Sequence, residues 1–405
     1  MNKKIWVINQ FAGTPESGWG ERHFYFAKYW QEKGYDVTII SGSFNHMFRK
    51  TIEVEGLCKI ETYNGIRFCW VNTPKYDPKS VKRFFAMLVF AWRVLFLKKH
   101  LHQTPDDIIV SSMPIFPVLT GYFLKKKYKS RKLLFEIRDI WPLSLIELAN
   151  VSKYHPLALF IGWFEKFGYR KSDIVVSLLP NAREHIENVA KRPVNFEYIP
   201  NGIDPDQLKD EVLPDEIAAL LPQNAGMIIG YTGTLGKANA LEYFVEAARN
   251  VAATHPDIHY VLVGDGYLKE ELMKASEGCP QIHFLPKIKK DQVQNMLGRF
   301  DVCFVGRNDT PLYKHGISAN KYFDYMLAGK PILDSINYIK DPVELCHCGI
   351  IVKPDSTRAI EEGILLFHGM TREERKKMGE KGRDYVLKEH SIKILAEKYV
   401  EAINA

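Results

Sequence analysis

The sequence predicts an α/β protein made of two parallel-sheet halves, and three observations carry that reading. Short apolar runs alternate with helical stretches along most of the chain, the order expected of a parallel sheet covered on both faces. Glycine-bearing loops follow several of these runs and lead into helices. The same order then restarts after a polar, proline-containing stretch from Pro205 to Gln223. With 405 residues, 46% of them hydrophobic, the chain can bury more than one core, and at ~100 to 200 residues per domain it divides into two.

The first forty residues set the pattern. A strand over Lys4 to Ile8 is followed by a loop from Asn9 to Gly20, a helix from Glu21 to Lys33, a stop at Gly34 and a second strand from Val37 to Ser41. Further strands are predicted at Ile66 to Val71, Ile108 to Ser111, Leu133 to Ile137, Ile174 to Ser177 and Phe196 to Ile199. In the second half, Met227 to Tyr231 reads as a buried strand, Gly233 to Gly236 as a glycine loop and Ala240 to Thr254 as a helix. Strands at His259 to Gly264, Ile282 to Leu285, Asp301 to Val305, Pro331 to Asp334 and Ile350 to Val352 then alternate with helices at Leu268 to Ala275, Gln292 to Leu297, Tyr322 to Leu327 and Thr357 to Phe367. The join lies near Pro200 to Asp206. The last helical run, Thr371 to Ala405, is rich enough in Lys and Glu to be read as largely surface exposed.

A net charge of +7 favours anionic partners such as nucleotide phosphates or acidic lipid, and is too mild to indicate nucleic acid. Met1 to Gln10 lacks a cleavage site and reads as a first strand rather than a signal peptide. Six scattered cysteines are expected as free thiols in a reducing, cytoplasmic compartment; Cys346 and Cys348 around His347 lack the spacing of a zinc site, and no metal or other cofactor is expected. The most apolar segment, Phe84 to Leu97, is interrupted by Arg93 and flanked by Lys82, Arg83, Lys98 and Lys99. It falls short of the ~20 residues of a spanning helix and reads either as a core helix or as one lying on a bilayer. The basic run Lys125 to Lys132 favours an anionic membrane surface.

In open parallel sheets ligands sit beyond the carboxyl ends of strands, so residues just after strands are the candidates. The first such loop holds Gly18 and Gly20, with Arg22 opening the helix whose free N–H groups suit an anion or a sugar hydroxyl. After Leu133 to Ile137 come Arg138, Asp139 and Trp141: a cation and a carboxylate for hydroxyls or phosphate, and a flat aromatic face for a sugar. Gly233, Thr234, Leu235, Gly236 and Lys237 form a turn whose amides suit a diphosphate, with Lys237 adding charge. Gly264, Asp265 and Gly266 read as an ordinary tight turn. The densest block is Gly316 to Pro331. Ser318, Asn320 and Lys321 put polar groups at a helix start, and Asp324 lies one turn inside, suited to both hydroxyls of a ribose while Lys321 or Arg307 balances phosphate.

That block, Gly316-Ile-Ser-Ala-Asn-Lys-Tyr-Phe-Asp-Tyr-Met-Leu-Ala-Gly-Lys-Pro331, resembles the signature of retaining glycosyltransferases of family four. Pro200 to Asp204 is similar to that family's interdomain element, and Gly233 to Lys237 leading to Glu246 and Ala247 to its phosphate loop. Arg138, Asp139, Trp141 and Pro142 resemble the branch that builds bacterial O-antigen, capsule and exopolysaccharide, including fucosaminyltransferases.

The resemblance implies a GT-B fold, two Rossmann-like domains facing each other across a cleft. It assigns an acceptor-binding domain over residues 1–203, a nucleotide-sugar-binding domain over 204–385 and a helix over 386–405 crossing back to the first. It further implies a UDP-sugar donor, a lipid-linked or oligosaccharide acceptor, metal-independent transfer, and a cytoplasmic chain peripheral on the inner membrane face. Arg138, Asp139 and Lys321 are the implied catalytic group. Gly233, Thr234, Lys237, Arg307, His315, Ser318, Asn320, Lys321 and Asp324 would hold the donor, and Gly18, Gly20, Arg22 and Trp141 the acceptor. The chain departs from the family in two places: Gly316, beside His315, stands where a glutamate touches the donor sugar, and Thr234 and Asn239 stand where the phosphate loop has Arg and Lys. A sugar-nucleotide 2-epimerase of the same architecture and a non-catalytic partner protein are the alternatives.

Overall fold

The computed structural model describes residues 3–78, 80–207, 210–338 and 340–405. Met1 and Asn2 of the first predicted segment, and Leu208 and Lys209 of the polar stretch, lie outside the described residues. The chain divides into two compact units, Met1–Asn201 with Ile392–Ala405, and Gly202–Ser391.

The first unit is an eight-stranded sheet. Its strands are β1 (Lys4–Ile8), β2 (Asp36–Gly42), β3 (Cys58–Tyr63), β4 (Ile66–Val71), β5 (Asp107–Ser111), β6 (Lys132–Ile137), β7 (Ile174–Ser177) and β8 (Phe196–Tyr198), in the order β3-β4-β2-β1-β5-β6-β7-β8. All neighbours run parallel except β3, which pairs antiparallel with β4 at the edge. That edge strand is absent from the sequence prediction. Its signal is the Asn64-Gly65 dipeptide, both residues at positive φ (49° and 83°), which is the turn chemistry of a tight hairpin.

Strands such as β1, whose residues Ile5 to Ile8 are all fully buried, read as continuous apolar runs because both faces of the sheet are covered. One face carries the helices Lys82–Val94, Pro117–Tyr128 and Pro156–Lys171. The other carries Arg22–Glu32 and the C-terminal helix Ile392–Asn404. The prediction of a largely exposed C-terminal run therefore needs correction. The run breaks after Glu389, and Leu395, Tyr399 and Ile403, four residues apart, bury one stripe against the first sheet.

The second unit is a six-stranded parallel sheet of β9 (Met227–Thr232), β10 (Ile258–Val263), β11 (Ile282–Leu285), β12 (Val302–Gly306), β13 (Ile332–Ser335) and β14 (Gly349–Val352), ordered β11-β10-β9-β12-β13-β14. The strand order reverses between β9 and β12. A crevice opens at such a reversal beyond the carboxyl ends of the two strands, and the loops leaving β9 and β12 supply its walls. Among the described residues no helix is long and apolar enough to cross a membrane.

Candidate functional site

The crevice of the second unit is a cavity of about 820 Å³. Its lining includes Gly233, Thr234 and Asn239 after β9, Gly264 to Gly266 after β10, Lys287 and Ile288 after β11, Arg307 after β12, and Asn320, Lys321 and Asp324 of the helix Asn320–Leu327. Two turns meet at its floor. Gly233 and Gly264 have φ of +143° and +148°, and a Cβ on Gly264 would stand 1.9 Å from the Gly233 carbonyl oxygen. No side chain fits there, so the two turns pack backbone to backbone, and both line the cavity. Gly264 to Gly266, expected to be only a tight turn, is thus also part of the wall.

Positive charge collects on one atom of this wall. Lys321 Nζ donates to Asn239 Oδ1 and to Tyr231 Oη, each at 2.7 Å, and lies 4.2 Å from the centroid of the Tyr231 ring. Arg307 Nη1 donates to the same Asn239 oxygen and, at 3.1 Å, to the Ala238 carbonyl. Asn239 Nδ2 in turn donates to the Thr234 carbonyl over 2.9 Å, so the amide is oriented with its oxygen toward both cations. Withdrawal from water, with the Arg307 guanidinium second, lowers the Lys321 ammonium well below the ordinary lysine value of 10.5. An anion entering the cavity would reverse that penalty.

Asp324 faces the same space from one turn inside its helix. Burial pushes its carboxyl up to about 6, against the opposing pull of Lys290. Of the other residues assigned to the donor, His315 and Ser318 are not part of the cavity lining, and Lys237 is exposed outside it, with its backbone N–H donating to Tyr267 Oη over 3.0 Å. Gly316 has φ +93°, a conformation that a residue with a Cβ rarely adopts, which gives a backbone reason for glycine where the resembled family has glutamate. Asn239, Tyr231, Lys287 and Ile288 were not among the predicted site residues; Asn239 alone had a signal, its place in the phosphate-loop spacing. Among the described residues no group of three or more His, Cys, Asp or Glu side chains is placed to hold a metal ion.

In the first unit the predicted residues sort differently. Arg22 is buried and engaged internally: Nε lies 3.1 Å from Glu136, and the two terminal nitrogens donate to the carbonyls of Pro200 and Ile199. Glu136 also accepts from Ser111 Oγ at 2.7 Å and from Tyr399 of the C-terminal helix, with His23 Nε2 at 3.1 Å. Burial alone would raise this carboxyl, but Arg22 and His23 overcome it and hold it well below the usual carboxylate range. Arg22 is therefore a buried tie between loop, strand and C-terminal helix, in place of the expected acceptor contact. Glu136, a carboxylate inside an otherwise apolar strand, was the sequence signal for it. Arg138 is half-buried, with its N–H on Ser112 Oγ at 3.0 Å, and Asp139 is exposed. Trp141 packs, half-buried, on the first core, and Gly18 and Gly20 take φ of +72° and +79° in the loop after β1.

Two family models match the chain: one described as Glycosyltransferase Family 4 over residues 20–207, and one described as Glycosyl transferases group 1 over residues 226–368. Both matched segments are thus glycosyltransferase domains. Among curated relatives, α-D-kanosaminyltransferase of Streptomyces kanamyceticus is 27% identical over 143 residues, 32% of this chain and 37% of that protein, so the match spans little more than a third of the relative's length. Among solved structures, sucrose-phosphate synthase from Thermosynechococcus elongatus superposes with a TM-score of 0.74 at 16% identity, over 100% of this chain and 98% of the other. An Anabaena protein solved in complex with UDP and glucose gives 0.66 at 13%, over 100% of both chains. At these identities the structural likeness speaks for the fold, two parallel-sheet α/β domains of the GT-B type.

Proposed function

We propose that this chain, built of two glycosyltransferase domains, transfers a sugar from a UDP-sugar to a carbohydrate acceptor with retention of anomeric configuration. The observation that carries the reading is the convergence of Arg307 and Lys321 on Asn239 at the wall of the 820 Å³ cavity, with Asp324 in the same lining. Two cations and a backbone floor without side chains suit a diphosphate; a carboxylate beside them suits the paired hydroxyls of a ribose. The UDP held by the Anabaena neighbour supports the choice of nucleotide.

In this reading the bond between the anomeric carbon and the diphosphate oxygen breaks as Lys321 and Arg307 stabilise the charge growing on that oxygen. The acceptor hydroxyl attacks from the same face, and its proton passes to the departing diphosphate. The side-chain cations supply the charge, so the transfer is metal-independent. Arg138, Asp139 and Trp141 of the first unit serve the acceptor. That acceptor is a lipid-linked or free oligosaccharide of bacterial surface-polysaccharide synthesis, and the protein works in the cytoplasm, peripheral on the inner membrane face.

Calorimetric titration with a panel of nucleotide sugars, followed by turnover assays with and without a chelator, tests this. A UDP-sugar should bind and turn over in chelator with the anomeric configuration kept. No binding by any nucleotide sugar would overturn the donor site. Gly316, standing where the resembled family has a glutamate, favours one second reading, a donor-binding partner without turnover, which saturable donor binding with no product on the genuine acceptor would support.

A further inference from the structure

The helices Lys82–Val94, Pro117–Tyr128 and Pro156–Lys171 form one layer on the first sheet, the second packed against both others. Their inner faces are ordinary core: Phe90, Val94, Leu124 and Ile161 are all buried. Their outer faces are not ordinary surface. On the first helix and its continuation, Phe85, Trp92 and Phe96 are 59%, 65% and 51% exposed and repeat at helical spacing, with the Trp92 and Phe96 rings 5.4 Å apart. Phe123 on the second helix and Phe160 and Trp163 on the third are exposed as well. Partly covered aromatics join them: Phe84 lies 6.3 Å from Phe160, and Tyr122 lies 5.3 Å from Phe167, ring to ring, so the aromatic surface runs across all three helices. A water-soluble surface rarely shows this many large apolar side chains together unless something covers them.

Charge identifies what covers them. Each of the three helices carries three lysines or arginines. Their sole carboxylate is Glu165, which is buried against His185 and Tyr169. Lys125 is paired with Asp173 of the strand β7 approach, but Lys126 and Lys127 stand exposed, as do Lys82 and Lys166. Exposed Trp and Phe amid lysines, on three helices that expose no carboxylate of their own, suit the headgroup boundary of an anionic bilayer, where rings enter the interface and ammonium groups meet phosphates. A protein partner of complementary acidic surface would satisfy the lysines but not the six exposed aromatic rings spread over the three helices.

We propose that this three-helix face is the surface by which the protein lies on an anionic phospholipid membrane. The contact rests on the peripheral location given above but not on sugar transfer, and it holds whether or not the chain turns over.

Vesicle flotation tests it, using phosphatidylcholine alone and an equal mixture of phosphatidylcholine and phosphatidylglycerol. The full chain should float with the mixed vesicles, at least about tenfold more than with the neutral ones, and 0.5 M salt should release it. The double variant Trp92→Ser/Phe96→Ser and, separately, Lys126→Glu/Lys127→Glu should each lose flotation at least about tenfold while keeping the melting temperature and the UDP-sugar affinity of the parent. Absence of the parent from both vesicle fractions, or unchanged flotation of both variants, overturns the proposal. So does a lipid-free dimer in sedimentation velocity that Trp92→Ser/Phe96→Ser dissolves, which assigns the face to a second copy of the chain. Donor affinity is read separately, so failure of flotation and failure of the donor site are distinct results.

Discussion

Lys321 donates to Asn239 Oδ1 over 2.7 Å, and that oxygen also receives Arg307. The amide oxygen holds two cations side by side at the cavity wall, a placement that their mutual repulsion opposes. An uncharged acceptor there leaves the positive charge unneutralised and available to an anion. A carboxylate in the same place would cancel it.

From this follows a ranking of two lysines. Removing a cation that acts on charge growing in the leaving diphosphate lowers kcat, whereas one that helps ground and transition states equally changes mainly KM. Lys321→Ala should lower kcat by about 100-fold, the scale of a lost oxyanion-stabilising donor. Lys237→Ala, outside the cavity lining, should change either constant by less than about threefold. Donor and acceptor saturation curves on both variants are the measurement, and the reverse order would make Lys237, in place of Lys321, the lysine that acts on the diphosphate.

The same lysine couples donor binding to protons. Its ammonium is lowered well below 10.5 in the folded protein, so folded Lys321 binds fewer protons than an unfolded lysine between the lowered value and 10.5. Stability contributed by its neutral form is lost as pH falls through the folded value. A bound diphosphate favours the charged form, so UDP-sugar binding should take up a proton within that window. Titration calorimetry in two buffers of different ionisation enthalpy reads the uptake directly, and it should vanish in Lys321→Met.

Asp324 gives an opposite and separable pH effect. Its carboxyl is raised to about 6, so the stability from its protonated form is present at low pH and lost as pH rises through 6. In the proposed donor site the ribose hydroxyls donate to the ionised form. Donor affinity should therefore strengthen about tenfold between pH 5 and pH 7, since one unit below its pKa only about a tenth of a carboxyl is ionised. A UDP-sugar, whose diphosphate ester does not titrate in this range, is the ligand to use. Asp324→Asn should flatten the profile, and Asp324→Ala should cost roughly 1.5 to 3 kcal/mol of binding at pH 7.

Away from the cavity, Asp334 on β13 and Asp341 are fully buried neighbours, and Asp334 accepts from Tyr322 Oη over 3.0 Å. Burial first, and then Asp341, raise the Asp334 carboxyl well above 3.8. A raised acid stabilises the fold below its unfolded pKa, and that contribution disappears as pH climbs through the folded value. Asp334→Asn keeps the oxygen facing Tyr322 and removes the titration. Its melting temperature should overtake the parent's on the alkaline side, by at least about 2 °C at pH 9 for a unit of this size. A difference that stays constant from pH 5 to pH 9 would show that the pair does not titrate there.

Legibility in the sequence followed the range of the forces involved. The parallel strands were readable because burial on both faces writes itself as short apolar runs such as Ile5 to Ile8. Lys321 and Asp324 were readable because they share one short helix start. Cys58–Tyr63 was missed although the Asn64-Gly65 turn announced it. In the last helix the Lys and Glu content masks the buried Leu395, Tyr399, Ile403 stripe. Nothing local in the sequence shows that the partners of Arg22 lie 114 to 178 residues away, at Glu136 and Pro200.

By itself, then, the sequence determined two α/β halves, the glycine turns after β9 and β10, and the polar start of the Asn320–Leu327 helix, because periodicity, glycine and capping act within a few residues. Tertiary structure alone decided that Asn239, Arg307 and Lys321 meet at one oxygen and that Tyr399 closes on Glu136 from the far end of the chain. It also decided that the exposed aromatics of three separate helices form one face. Each of these depends on which strands become neighbours at the reversals of the two sheets, and that order is set by how the whole set of apolar faces is buried together.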